Sequence, residues 1–100
     1  MIYILWEFTV EPGHCDEFET AYGTEGVWAR LFRRDSAYRE TILVKDNAQS
    51  GRYLTIDVWE DKDSYLGFKD RFAGDYASID EECESLTSSE RHIGIFERLP

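Results

Sequence analysis

The sequence predicts an α+β fold, a ferredoxin-like split βαβ arrangement with helices on one face of an antiparallel sheet. Three observations carry that expectation. Apolar residues alternate with period 2 in four stretches and recur every 3–4 residues between them. The resulting order is β-α-α-β-β-α-α-β. "NAQSG" (47–51) then reads as the turn of a hairpin joining the two middle strands. A βαβ unit that shares its sheet with a hairpin strand gives this architecture.

The elements follow in order. Residues 2–10 alternate, with Ile2, Ile4, Trp6, Phe8 and Val10 on one face and Tyr3, Leu5, Glu7 and Thr9 on the other. Pro12 and Gly13 break the strand. Cys15, Phe18, Ala21 and Tyr22 mark one face of a helix that ends near Gly23. After the turn bracketed by Gly23 and Gly26, Trp28, Leu31 and Phe32 predict a second, short helix, closed by "RRDSA". Residues 38–46 and 52–60 read as the hairpin strands. Asp61 is a candidate N-cap, and Tyr65, Phe68 and Phe72 follow at helical spacing. Gly74 is expected to end that helix and Asp75 to cap the next, whose stripe is Tyr76, Ile79, Cys83 and Leu86. "RHIGIFERL" (91–99) is the last strand.

The helices are expected over Ile4, Phe8, Ile42, Val44, Leu54, Ile56 and Val58. The other sheet face would then carry Tyr3, Leu5, Leu43, Tyr53 and Trp59, too apolar to be left in water. A second copy of the same sheet is the economical cover, so a homodimer is expected.

With 100 residues the chain is expected to form a single domain spanning 1–100. A net charge of −10 argues against nucleic acid and anionic membranes as partners. No apolar run approaches the roughly 20 residues a membrane span needs. "MIYILWEFTV" lacks a basic leader and reads as a strand rather than a signal peptide. Cys15 and Cys83 have no CxxC or metal spacing and read as buried thiols of a cytoplasmic protein. No Cys/His cluster, phosphate loop or Ser-His-Asp pattern is present, so neither a metal nor a nucleotide is expected and no cofactor is assigned.

A first strand closed by "EPGHCDEFE" and a third closed by Trp-Glu-Asp before a Tyr/Phe-rich helix resemble the antibiotic biosynthesis monooxygenase (ABM) superfamily. "FETAYG", "GVWARLFRR", "YRETILVKD", "GRYLTIDVWED", "YLGF", "YASIDEECESLT" and "ERHIGIF" extend the likeness over nearly the whole chain. It is similar to one largely uncharacterised branch of that superfamily. The resemblance implies a dimeric α+β barrel made by two such sheets. It also implies one of three roles: cofactor-independent oxygenation of polycyclic aromatic substrates, haem degradation, or that of the small relatives with no known reaction.

Haem-degrading relatives use an asparagine, a tryptophan and a histidine. The matching places here hold Trp6 or Glu7, Phe68 and Ala77, so haem degradation by that route is not expected. His14 and His92 read as turn or surface histidines. In the cofactor-independent oxygenases an electron-rich phenol is held between aromatic walls, under the helices. The resemblance places Trp6, Phe8, Trp28, Phe32, Tyr65, Phe68, Phe72 and Tyr76 there. Tyr38, Tyr65 and Tyr76 would supply hydroxyls, and Arg33 or Arg34 would steady a phenolate oxygen. The simpler reading of these aromatics is that they are core.

The acids Glu7 and Asp57 are expected on neighbouring central strands, both pointing away from the helices, where a buried carboxylate can serve as a base. Arg39, near-opposite Asp57 or Trp59, makes a cross-strand ion pair the preferred reading. The dimer face is thus assigned Tyr3, Leu5, Glu7, Arg39, Tyr53, Asp57 and Trp59. Arg30, Arg33, Arg34 and Arg39 are read mainly as partners of Glu25, Asp35 or Asp61. Two functions remain open: a cofactor-independent oxygenase of an aromatic or quinone-like molecule, or a non-catalytic dimeric module. A roomy cavity with a desolvated polar group favours the first, and a cavity filled by Trp28 and Phe68 the second.

Overall fold

The computed structural model describes residues 1–100. In order come β1 (Ile2–Val10), α1 (Cys15–Tyr22), α2 (Val27–Phe32), β2 (Tyr38–Lys45), β3 (Arg52–Trp59), α3 (Lys62–Arg71), α4 (Ala73–Cys83) and β4 (Thr87–Glu97). The sheet order is β2-β3-β1-β4 and every neighbouring pair is antiparallel. β1 and β2 therefore run the same way with β3 between them, which is the split βαβ.

Local chemistry explains most boundaries. The Asp61 carboxylate accepts from the Ser64 amide at 2.8 Å and caps α3. Gly51 closes the β2–β3 hairpin at φ +81° and its carbonyl accepts from the Val10 amide at 2.7 Å. Two boundaries differ from expectation. Gly74 and Asp75 lie inside the first turn of α4, which starts at Ala73 directly after α3. A side chain at Gly74 would meet nothing, so this glycine answers no steric need and does not interrupt the helix. β4 starts at Thr87, before the apolar pattern begins, because Thr87 and Ser89 pair with Val10 and Thr9 through backbone alone.

The larger correction concerns which way β2 and β3 face. Ile2 lies opposite Trp59, Ile4 opposite Asp57, Trp6 opposite Thr55 and Phe8 opposite Tyr53. Residues directly opposite share a face. The helix-covered face of β3 thus carries Tyr53, Thr55, Asp57 and Trp59, while Leu54, Ile56 and Val58 point to the uncovered face. Trp59 is 0% exposed, with its ring 5.1–5.8 Å from those of Phe32, Tyr38, Tyr65 and Phe68. Tyr53 stacks near Phe18 and donates to Glu19 of α1 at 2.5 Å. Tyr53, Asp57 and Trp59 are therefore not on the open face. β3 is apolar on both sides, so alternation fixes its period and leaves its phase to the pairing.

β2 adds a second reversal. Its register shifts between Tyr38 and Glu40, making Arg39 the extra residue of a bulge. Tyr38 and Thr41 consequently share the helix side, and Ile42 and Val44 turn outward. Arg39 does not meet Asp57. It bonds Glu60 at 2.9 Å and the Ser36 carbonyl at 3.0 Å.

The uncovered face holds Tyr3, Leu5, Ile42, Val44, Leu54, Ile56 and Phe96. Ile42, Val44 and Phe96 are 38%, 40% and 48% exposed. The Phe96 ring lies across Gly94, where a Cβ would come within 3.1 Å of it. At one end Glu7 accepts from Arg52 at 2.6 Å and from Arg91 at 2.8 Å, and Arg52 also bonds Asp46 at 2.8 Å. These two arginines hold the Glu7 carboxyl below its usual range.

Candidate functional site

Beneath the helices, one part of the aromatic layer is not closed. Trp6 and Phe8 of β1, Tyr22 of α1, Trp28 and Phe32 of α2 and Tyr76 of α4 surround a cavity of about 50 Å³. Its sheet floor is Thr41, Thr55 and Asp57, and Asp80 and Glu90 stand at its exposed rim. Such a volume holds water. It is well below the roughly 300 Å³ at which drug-sized pockets begin.

Asp57 is the chemically distinctive member. Its Oδ1 accepts from the Thr41 hydroxyl at 2.6 Å, and Thr41 Oγ1 lies 2.7 Å from the Tyr38 hydroxyl. Thr41 has one proton and gives it to Asp57, so Tyr38 must be the donor to Thr41. No cation touches the carboxyl. Burial pushes it up to about 6, and the Thr41 hydrogen bond pulls it back by less. The Tyr22, Tyr38 and Tyr76 phenols are all held above their usual range, each mainly by burial. Trp28 adds an indole N–H that is buried without an acceptor, although the Tyr22 hydroxyl and the Cys83 thiol lie beside it.

Of the aromatic residues singled out from the sequence, Trp6, Phe8, Trp28, Phe32 and Tyr76 line this cavity. Tyr38, Tyr65, Phe68 and Phe72 do not. Tyr38, Tyr65 and Phe68 pack around Trp59 as core, with Phe68 at 0% exposure, and half-buried Phe72 packs on Phe68. Arg33 and Arg34 are also absent from it. Arg33 is drawn to Glu25 at 3.1 Å and to the Thr24 carbonyl, and Arg34 to Asp75 at 3.1 Å and to the face of Phe72. Arg71 bonds Asp35. His14 pairs with Glu17, while the His92 ring lies 4.9 Å from that of Trp6. Phe68 is thus core and Ala77 an exposed position on α4.

Sequence reasoning missed Tyr22, Thr41, Thr55, Asp80 and Glu90, and it placed Asp57 on the wrong face. Asp80 had a signal, since it follows Tyr76 by one helical turn and shares its side of α4. The pairing of Thr41 with Asp57 had none, because only the bulge and the strand register bring them together. No group of His, Cys, Asp and Glu side chains is arranged to hold a metal ion. Cys15 and Cys83 are free. No helix is long and apolar enough to cross a membrane.

Residues 1–71 match the family model for antibiotic biosynthesis monooxygenase, ABM. The chain belongs to this family. The match runs from β1 through α3, so it includes Asp57, Thr41 and every cavity residue except Tyr76, Asp80 and Glu90. Solved structures share the ABM fold. SnoaB, a cofactor-independent oxygenase from Streptomyces nogalater, is 20% identical, with 99% of this chain and 93% of that one covered at a TM-score of 0.75. A protein from Bordetella bronchiseptica that carries the family's name is 16% identical, with 99% and 97% covered at 0.77. Another from Deinococcus radiodurans is 12% identical, with 100% and 94% covered at 0.76. Among curated protein sequences none matches the ABM chain.

Proposed function

We propose that this ABM protein is a cofactor-independent oxygenase of a small aromatic or quinone-like molecule, bound between sheet and helices and working as a homodimer. The observation that carries the reading is a desolvated carboxyl group inside an aromatic-walled cavity. Membership of the ABM family and likeness of fold to SnoaB support it. The aromatic walls would hold the substrate ring and exclude water. Loss of a proton would leave an electron-rich anion that gives electrons directly to dioxygen. An aryl CH2 would then become C=O, with one oxygen atom retained and the other leaving as water. Because the cavity is small, a ring can enter only when Trp6 and Tyr76, its two half-buried walls, turn outward.

The test is dioxygen consumption with a hydroxyanthrone and no added metal, flavin or haem. Uptake well above the protein-free rate, with one quinone formed per dioxygen, is expected. A rate equal to the protein-free one across a panel of anthrones and naphthols would overturn the reading. The volume of about 50 Å³ favours a second reading, a non-catalytic dimeric module, which that null result would leave standing. Haem is not proposed as a substrate, since Phe68 and Ala77 stand where haem-degrading relatives use tryptophan and histidine.

A further inference from the structure

Resting on the reading of the cavity as a ligand site, we propose that Asp57 accepts the hydroxyl proton of a neutral hydroxylated aromatic ligand, and that the same site turns anionic aromatics away. Tyr38 and Thr41 are its positioning residues.

Hydrogen-bond counting carries the first half. The chain Tyr38 to Thr41 to Asp57 uses Oδ1 and fixes the carboxyl from the β2 side. Oδ2 receives no hydrogen bond from the protein, and Asp57 lines the cavity, so a ligand there can supply the donor this oxygen lacks. A ring seated against Trp28 and Phe32 with a hydroxyl toward the sheet supplies one. The transfer is balanced as it stands. The O–H bond breaks, its electron pair stays on the aryl oxygen, and the proton moves to Oδ2 to give a phenolate beside a neutral acid.

Charge carries the second half. Asp57, Asp80 and Glu90 are three carboxyl groups around one cavity whose lining contains no Lys, Arg or His. The arginines of the neighbouring elements are engaged elsewhere, Arg33 by Glu25, Arg34 by Asp75, Arg39 by Glu60 and Arg71 by Asp35. A ligand carboxylate would therefore enter against like charge with no cation to offset it.

The surrounding groups suit an acceptor that works near neutrality. Burial places Asp57 at about 6, so it is ionised above that pH and basic for a carboxylate. Tyr38 on β2, Tyr65 on α3 and Tyr76 on α4 lie around it. All three are raised by burial, Tyr65 to about 12, and stay neutral. Glu90 on β4 is raised by burial and then by Asp80 on α4. Lys69 stands across the Tyr65 and Tyr76 rings at 5.5 and 5.1 Å and is not part of the lining.

Calorimetric titration with 1-naphthol, 1-methoxynaphthalene and 1-naphthoate between pH 5 and 8 tests this. For the wild type at pH 8, naphthol should bind at least about tenfold more tightly than the methyl ether, as a hydrogen bond to a charged acceptor implies. Naphthoate should not bind. Naphthol affinity should fall as pH drops through about 6, where Asp57 gains its proton. Asp57→Asn should weaken naphthol about tenfold, abolish that pH dependence and leave the ether unchanged. Thr41→Val should move the midpoint upward, since its hydroxyl lowers Asp57. Equal binding of naphthol and ether, unaltered in Asp57→Asn, would overturn the role of Asp57 and leave the ligand site standing. Tight naphthoate binding would overturn the charge selection. Absence of binding by all three would overturn the ligand site itself, and this inference with it.

Discussion

At the scale of single residues, Asp57 is where stability and chemistry pull apart. A carboxyl whose folded value is raised destabilises the native state once it is ionised. The unfolded chain releases its proton near the ordinary value of 3.8, and the folded one near 6. Between those values the native state holds more protons, so stability falls as pH rises and then levels off. Two units correspond to roughly 3 kcal/mol as an upper bound. Asp57→Asn removes this contribution. Its stability relative to wild type should therefore grow by about 2–3 kcal/mol from pH 4 to pH 7, measured by urea unfolding at each pH. A difference that stays flat would mean Asp57 is not desolvated. Glu7, Asp46 and Asp61 are lowered and act in the opposite sense, which is why the comparison is made between variants. The residue string singled out Asp57 as a carboxyl group on a central strand but faced it away from the helices and toward Arg39; its true face and its Thr41–Tyr38 partners come only from strand register and the bulge.

At the scale of elements, sequence and structure agree wherever one face is clearly apolar. β1, α1 and α2 lie where their patterns put them, and Asp61 caps α3. Agreement fails where a strand is apolar on both sides. Tyr53, Trp59, Leu54 and Ile56 give β3 two plausible faces, and the Arg39 bulge then changes the phase of β2. A bulge leaves little trace in a single sequence, because its extra residue differs from its neighbours only in pairing. The corrected packing also decides what Phe68 reports. Phe68 lies beneath Trp59, Phe32 and Phe72 rather than at the cavity. Phe68→Ala should cost about 3–5 kcal/mol in urea unfolding, the usual range for a fully packed ring. A loss near 1 kcal/mol would mean that α3 is loosely seated on the sheet. Either way this residue reports on the core, and Tyr76 and Trp28 are the ones that report on the cavity.

At the scale of the whole molecule, the exposed sheet face sets the expected assembly. Ile42, Val44 and Phe96 are more than a third exposed, beside Tyr3, Leu5, Leu54 and Ile56, and no helix of the chain reaches them. Burying such a face against its copy would give an interface of the standard size, roughly 1,600 Å² in total. Sedimentation at micromolar concentration should report twice the chain mass of 11.7 kDa. Val44→Glu should shift it to a folded monomer, because the charge lies where two sheets would meet. A wild-type monomer under those conditions would overturn the dimer. The apolar excess of that face was legible in the sequence even though three of the residues assigned to it, Tyr53, Asp57 and Trp59, lie on the helix-covered face. The excess of apolar surface survives a phase error, since reversing a strand that is apolar on both sides leaves the sheet apolar on both sides.

The aromatic layer also gives the protein a built-in optical reporter. All three tryptophans belong to it. Trp6 and Trp28 line the cavity, and Phe32 alone stands between Trp28 and Trp59, its ring 6.0 Å from the first and 5.8 Å from the second. No indole lies on the uncovered face, so the proposed dimer would leave the chromophores untouched. Intrinsic emission would therefore follow a ligand entering the cavity and be blind to pairing of the sheets. A quinone-like molecule seated there would quench two emitters by contact and the third across a single ring.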